Sequence, residues 1–339
     1  MPQLRKDPVT GTWVVIAEER ARRPSDFNHE RVLDNSAATC PFCPGREDQT
    51  PREVFALRDH GEANASGWDV RVVPNKFPAL SPEGGLDSQH QGIYQSMNGV
   101  GVHEVIVDSP DHVQTLADLP EVHVQKVIQT YVARLKTAYE NEQCVYAQLF
   151  KNDGKEAGAS LAHPHTQLVG LPLLPSRIER ELSNASAFFS DQGQSVFEMM
   201  LNETLEDEQR LVMVNDHFIA FAPFASRFPY EVHLMPRFGA SDFSKLDASK
   251  WNPLGQILKS VLRRLKVLLN NPPFNFFLHT APNANALKLD DGVRSAFRWH
   301  IEITPRLSMT AGFEWGSGTF INPTPPELTA SLLRNLLLD

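Results

Sequence analysis

The stretch "GASLAHPHTQ", residues 158–167, sets two histidines on either side of a proline and closes on a glutamine. On a β-strand alternate side chains share a face, so His163 and His165 point the same way. Pro164 between them stiffens the segment and removes a backbone donor. A single histidine is most often a satisfied polar residue; a pair on one face behind the glycine-bearing loop "DGKEAGAS" is a candidate site. Backbone N–H groups of such a loop can approach a phosphate closely. Upstream, "CVYAQLFKND" is short, apolar and β-rich. Before it, Val124, Val127, Ile128, Tyr131, Leu135 and Tyr139 recur at helical spacing, which predicts a helix of about four to six turns. Earlier still, "GVHEVIVDSPDH" reads as a strand closed by a Ser-Pro-Asp turn. The order is strand, helix, strand, glycine loop, histidine strand.

The second half repeats it. "FPYEVHLMPR" parallels "GVHEVIVDSP", "WNPLGQILKSVLRRLKVLLNN" parallels the first helix, "FNFFLHTAPN" parallels "VYAQLFKND", and "FRWHIEITPR" parallels the histidine strand. Glu104 then corresponds to Glu231 and His163 to His300, and the HPH of the first unit becomes HIE. Self-similarity at so long a period predicts an α+β protein of two duplicated units, antiparallel sheets with packed helices. Residues 1–175 would carry the histidine pair, and residues 176–339 would lack the nucleophile. Nearer the amino terminus, "TWVVIA" predicts a short strand entered by a turn, and "DVRVVPNKFPAL" a strand running into a loop at proline.

With 339 residues the chain exceeds what one core normally serves, which fits two domains or a fused pair. A hydrophobic fraction of 41% and a charged fraction of 22% are those of a folded globular protein, and 25 prolines with 19 glycines predict many loops. The net charge is −9 and no basic run is longer than "RARR" at residues 20–23, which argues against nucleic acid as a partner. No stretch suits a signal peptide or approaches the ~20 apolar residues of a membrane span, so a cytoplasmic location is expected.

Cys40 and Cys43 stand in C-x-x-C spacing, suited to zinc, which takes four tetrahedral thiolate and imidazole ligands. His112 and His163 are available to complete such a set. A redox pair is the alternative, although prolines at 41 and 44 with no following helix signal fit a metal knuckle better. Cys144 reads as a buried apolar residue.

"CPFCPG", "NKFPAL", "DSPDH", "GASLAHPHTQ", "HTAP" and "AGFEWGSGTFIN", in this order from about residue 5 to 335, resemble the galactose-1-phosphate uridylyltransferases, the transferase branch of the histidine triad superfamily. The resemblance implies that His165 attacks the α-phosphorus of UDP-glucose and carries the uridylyl group between two displacements. Gln167 stands where histidine triad hydrolases have a third histidine; its amide can donate to a phosphoryl oxygen but cannot exchange a proton with a leaving alcohol. Ser160 would donate a further hydrogen bond to the phosphates, or else cap its own loop.

By the same resemblance Cys40, Cys43, His112 and His163 hold a structural zinc. A second iron or zinc site would use Glu181, His279 and His300, with Glu302 where a third histidine is expected. Read from the sequence alone, Glu181 is equally an exposed helix carboxylate. Arg20 and Arg23 resemble phosphate-contacting arginines, and Asn75 a ribose contact beside Lys76, which replaces an acidic residue. Phe313 and Glu314 stand where a tyrosine and a glutamate contact the hexose, with Asn322 in place of a nearby glutamine. That segment is borrowed from the neighbouring subunit in the family, which implies a homodimer. The leading expectation is transfer of UMP from UDP-glucose to galactose 1-phosphate. The alternatives are an ADP-glucose phosphorylase-like adenylyltransferase and a non-catalytic nucleotide-sugar binding protein.

Overall fold

The computed structural model describes residues 1–20 and 36–338. Arg23 lies outside them, and Arg20 is described only in its main chain, at the end of a single 3-10 turn, Glu18–Arg20. In chain order the first half contains β1 (Gln3–Lys6), β2 (Trp13–Ile16), β3 (Phe55–Leu57), β4 (Val70–Pro74), β5 (Gln89–Gln91), β6 (Tyr94–Ser96), β7 (Val102–Val107), α1 (Glu121–Glu140), β8 (Tyr146–Asp153) and β9 (His165–Leu171). The second contains α2 (Ser176–Gln192), α3 (Val196–Asp207), β10 (Leu211–Val214), β11 (Phe218–Phe221), β12 (Val232–Pro236), α4 (Trp251–Leu268), β13 (Phe274–His279), α5 (Asp291–Ala296), β14 (His300–Pro305), α6 (Gly312–Ser317), β15 (Phe320–Asn322) and α7 (Pro326–Asn335).

One ten-stranded sheet runs through both halves in the order β10-β11-β12-β14-β13-β8-β9-β7-β4-β3. Read from its middle outward, each side repeats the same succession of strands, as duplication requires. The seam is the antiparallel pair β8 and β13, with Phe150 opposite Phe277. The helix predicted from spacing is α1, and all six apolar positions named for it are buried. It begins after Pro120, where a missing N–H costs nothing. Together α1 and α4 cover one face of the sheet over a single apolar core, joined by Ile106, Leu149 and Leu168 from one half and Phe276, Ile301 and Ile303 from the other. The opposite face carries a small cluster around Cys40, Phe42, Val105 and Val107 in the first half, and a core around Ile178, Phe197, Phe221 and Phe297 in the second.

Two features depart from the sequence reading. The amino-terminal hairpin β1-β2 joins the far end of the chain: β2 pairs in parallel with β15, and Arg5 meets Glu327 at 2.7 Å. The alignment of Glu104 with Glu231 is also slipped by one residue. His165 and His300 each open their strand and bond the carbonyl two residues back, so His300 answers to His165 rather than to His163, and Glu302 to Gln167. In register, Gln167 is opposite Val105 and Glu302 is opposite His233, so the counterpart of Val105 is His233. A one-residue slip exchanges the faces of a strand. Glu104 accordingly lies on the helix side, bonded twice to Arg134 of α1, while Glu231 lies on the other side with Arg227 and His233.

Candidate active site

The knuckle "CPFC" places three things at once. Cys40 Sγ and Cys43 Sγ lie 3.7 and 3.6 Å from His163 Nδ1, and Cys43 Sγ is 3.3 Å from His112 Nδ1. A tetrahedral zinc with ordinary bond lengths separates sulfur from nitrogen by about 3.5 Å, so these four residues fit the ion. His163 Nε2 bonds the Ser109 carbonyl at 2.8 Å, which turns Nδ1 toward the thiols and fixes the tautomer. Burial pulls the His163 pKa down to about 4, keeping the imidazole neutral, as a ligand must be. Burial, with Cys40 alongside, pushes the Cys43 thiol up to about 11, a cost that a bound dication removes. Between the cysteines, Phe42 sits against both histidine rings, 6.1 Å from His163 and 5.5 Å from His165 by centroid. Zinc here would tie the knuckle to the start of β9 and so would act as a structural ion.

His165 is the first residue of β9. His163 lies just ahead of the strand, in the loop that Gly154 and Gly158 shape with φ of +89° and +92°. A side chain at Gly154 would also meet Pro273 at 2.8 Å, so this entry is confined to glycine on two counts. His165 Nδ1 donates to the His163 carbonyl at 2.8 Å. Nε2 therefore carries the lone pair, and the ring lines a cavity of about 740 Å³ shared with Ser160, Gln167, Asn75 and Phe77. Burial lowers the His165 pKa, and the nearby Lys151 ammonium adds to it; the ring stays neutral and nucleophilic. Ser160 is exposed at the cavity rim, and its hydroxyl caps nothing in the loop among the described residues.

Behind the strand stands a pair the motifs did not disclose. Lys151 Nζ meets Asp108 Oδ2 at 2.7 Å and donates to the His165 carbonyl at 3.0 Å, with both side chains sealed from solvent. Asp108 also accepts from Thr166, which bonds Tyr131 of α1. A paired lysine within an apolar-reading strand was the one signal available for it in the sequence. His103 also escaped notice: its Nε2 is 3.0 Å from Gln167 Oε1 and from Asn75 Nδ2, and its Nδ1 accepts the Ala79 N–H at 3.1 Å.

The second cluster is assembled as expected. Glu181 is buried, contrary to the exposed alternative, and one atom each of Glu181, His279, His300 and Glu302 converge within 4.8 Å. These oxygens are already engaged, however. Arg177 reaches both Glu302 oxygens at 2.6 and 2.8 Å and Glu181 at 3.2 Å, and Arg227 bonds Glu302 and Glu231. Burial opposes ionisation, yet the arginines outweigh it and hold Glu302 well below the usual carboxylate range; His279, His300 and Arg177 hold Glu181 near 2. The donor set spans the distance an ion needs, but its carboxylate charge is met by guanidinium, so no chemistry is assigned to a metal here.

Of the remaining candidates, Asn75 lines the cavity beside His165. Asn322 is fully buried and spends its amide on the Ser226 and Phe228 carbonyls and on the Thr324 N–H, leaving no group for a sugar. Phe313 and Glu314 lie on α6, absent from the lining of this cavity in the single chain, and the Glu314 carboxylate accepts the Ala311 N–H at the helix start. Among the described residues no helix is long and apolar enough to cross a membrane.

Residues 1–175 match the family described as "Galactose-1-phosphate uridyl transferase, N-terminal domain". An ADP-glucose phosphorylase of Arabidopsis thaliana is 35% identical over 99% of this chain and 93% of its own. A galactose-1-phosphate uridylyltransferase of Thermotoga maritima is 28% identical over 98% of each chain. Among solved structures, the Arabidopsis ADP-glucose phosphorylase with bound ADP-glucose superposes with a TM-score of 0.83 at 33% identity, covering 100% of both chains. A uridylyltransferase structure gives 0.75 at 28% identity, covering 98% and 97%. A duplicated sheet, a thiolate–imidazole knuckle and a free histidine nitrogen over an open cavity agree with those likenesses along the whole chain, which belongs to the galactose-1-phosphate uridyl transferase family of nucleotidyl-transferring enzymes.

Proposed function

We propose that the chain moves a nucleoside monophosphate out of a nucleoside-diphosphate sugar by a double displacement through His165. The observation that carries this is the His165 tautomer: Nδ1 is spent on the His163 carbonyl, which leaves Nε2 as the lone-pair nitrogen of a ring that lines the 740 Å³ cavity. Nε2 forms a bond to the α-phosphorus as the bond to the bridging oxygen breaks, and the sugar 1-phosphate leaves with that oxygen. An acceptor phosphate oxygen then attacks the same phosphorus and the P–N bond breaks, returning neutral His165. The Gln167 amide and the Ser160 hydroxyl donate to the non-bridging oxygens as charge builds there. A departing phosphate needs little protonation, which suits a site with glutamine rather than a third histidine.

For the base, we place ADP-glucose ahead of UDP-glucose, with inorganic phosphate as acceptor. The 35% identity to an ADP-glucose phosphorylase, against 28% to a uridylyltransferase, supports that order, as does Lys76 on the cavity wall where the uridylyl resemblance expects an acid. The uridylyl version, with galactose 1-phosphate as acceptor, is the second reading and draws on the matched family itself. In either version Phe313 and Glu314 would complete the sugar end from a second copy of the chain.

Intact-protein mass spectrometry after separate mixing with ADP-glucose and UDP-glucose, quenched in alkali to preserve a phosphoramidate, tests this. A gain of one AMP mass, absent in His165→Gly, is expected. A gain of UMP alone reverses the order of donors, and no adduct from either sinks the covalent mechanism.

A further inference from the structure

We infer that His103 is a positioning residue that sets which end of the Gln167 amide faces the cavity. The inference rests on the proposed role of Gln167 as a donor to a phosphoryl oxygen.

The Ala79 N–H is a backbone donor and cannot be reversed; it points at His103 Nδ1 from 3.1 Å. Nδ1 must therefore be the acceptor, and the ring's one proton sits on Nε2. That proton faces Gln167 Oε1 at 3.0 Å. With its oxygen engaged, the glutamine can turn only its NH2 toward the cavity that it lines with His165 and Ser160. Without His103 the two ends of the amide are nearly the same size and shape, and half the orientations would present a carbonyl oxygen to an anionic phosphate.

Asn75 Nδ2 lies 3.0 Å from the same Nε2, but with the ring proton there both are donors and neither accepts from the other, and Asn75 Oδ1 already accepts the Phe77 N–H at 2.9 Å. The Asn75 amide hydrogens thus remain for a ligand. Asn75 N in turn donates to the His103 carbonyl at 2.8 Å. One residue on β7 therefore joins the wall loop, Asn75 to Ala79, to the amide on β9. The ring's two nitrogens do separate jobs: Nδ1 anchors the loop, and Nε2 orients Gln167.

Two substitutions divide these jobs. In His103→Asn the side-chain oxygen can replace Nδ1 for Ala79, but nothing reaches Gln167. In His103→Gln the longer amide can replace Nε2 for Gln167 at the expense of the loop anchor. Single-turnover labelling is followed with whichever of ADP-glucose and UDP-glucose labels the wild type, and with the Rp and Sp α-phosphorothioate forms of that donor.

The expected result for His103→Asn is labelling at least about 10-fold slower at saturating donor, with little change in half-saturation. Its Rp/Sp preference collapses toward that of Gln167→Leu, itself slowed about 10²- to 10³-fold. His103→Gln should restore most of the maximal rate and raise the half-saturation instead. The combined His103→Asn, Gln167→Leu variant should be no slower than Gln167→Leu alone. The diastereomer ratio is independent of how much of a variant folds, so poor folding does not obscure it.

A wild-type ratio in His103→Asn, or losses that add in the double variant, overturns the inference while leaving the role of Gln167 intact. An unimpaired Gln167→Leu variant instead removes the role of Gln167, and the inference with it.

Discussion

The strands β9 and β14 occupy equivalent places in the two halves of one sheet, and they have opposite fates. On β9 the position facing away from the helices is His165, with one nitrogen unspent and about 740 Å³ of open space in front of it. On β14 the corresponding position is His300, and two residues on, where β9 has Gln167, the same face carries Glu302, held by Arg177 and Arg227 beside a cavity of about 170 Å³. The same backbone platform thus supports a reactive group in one half and a closed ion-pair network in the other. The difference lies less in the strand than in what neighbouring segments bring to it. The "CPFC" knuckle occupies the histidine that precedes His165, whereas α2 and the segment before β12 bring guanidinium groups onto Glu302.

The largest effect expected from this contrast is in the chemistry. His165→Gly should reduce covalent labelling by more than about 10⁴-fold while the protein keeps its wild-type circular dichroism, because the group that forms the bond is gone. Next comes Cys40→Ser, which removes one of the four knuckle ligands. Metal analysis should find one zinc per wild-type chain and none in the variant. Denaturant unfolding should show a loss of more than about 4 kcal/mol, the range reserved for metals and similar staples. A zinc-free, fully stable Cys40→Ser protein would mean that the first half is held by packing alone.

Glu302→Gln tests the other side. It leaves the part-exposed Arg177 and Arg227 against one carboxylate fewer, and should cost about 2 kcal/mol of stability, the buried-pair loss discounted for solvent screening. Labelling per folded molecule should stay within a few-fold of wild type. If labelling collapses in a variant that remains folded, the two platforms are coupled and β14 is more than a brace.

Motif spacing made much of the first platform legible. HPHTQ, C-x-x-C and the apolar spacing of α1 each name a local arrangement that the structure contains. What stayed hidden depends on contacts between distant segments. β7 is flanked on both faces, so "GVHEVIV" lacks the clean alternation that would fix its register, and the motif likeness sets Glu104 against Glu231 rather than one residue later. That slip put Val232 where His233 belongs and concealed a histidine that stands beside Glu231 and Glu302. Lys151 and Asp108 lie on β8 and just past β7, and only the β8-β9-β7 order brings them together under His165. The pairing of β2 with β15 spans nearly the whole chain and has no local signal.

The smallest effect expected is at the rim. Lys76 is exposed on the wall of the first cavity, next to Phe77, which is 84% exposed. An exposed ammonium attracts the diphosphate through water and is screened by salt. Lys76→Ala should therefore raise the half-saturation for donor about two- to five-fold at low ionic strength, leave the maximal labelling rate unchanged, and lose its effect by roughly 0.5 M salt. The second cavity offers the contrast: there Arg227, mostly covered, pairs with two carboxylates, Glu302 and Glu231, that are buried. A much larger Lys76 effect that survives high salt would mean that the rim closes over the bound nucleotide. The open cavity would then be only one of two states of β9's site, and the contrast with β14 would be one of timing rather than of architecture.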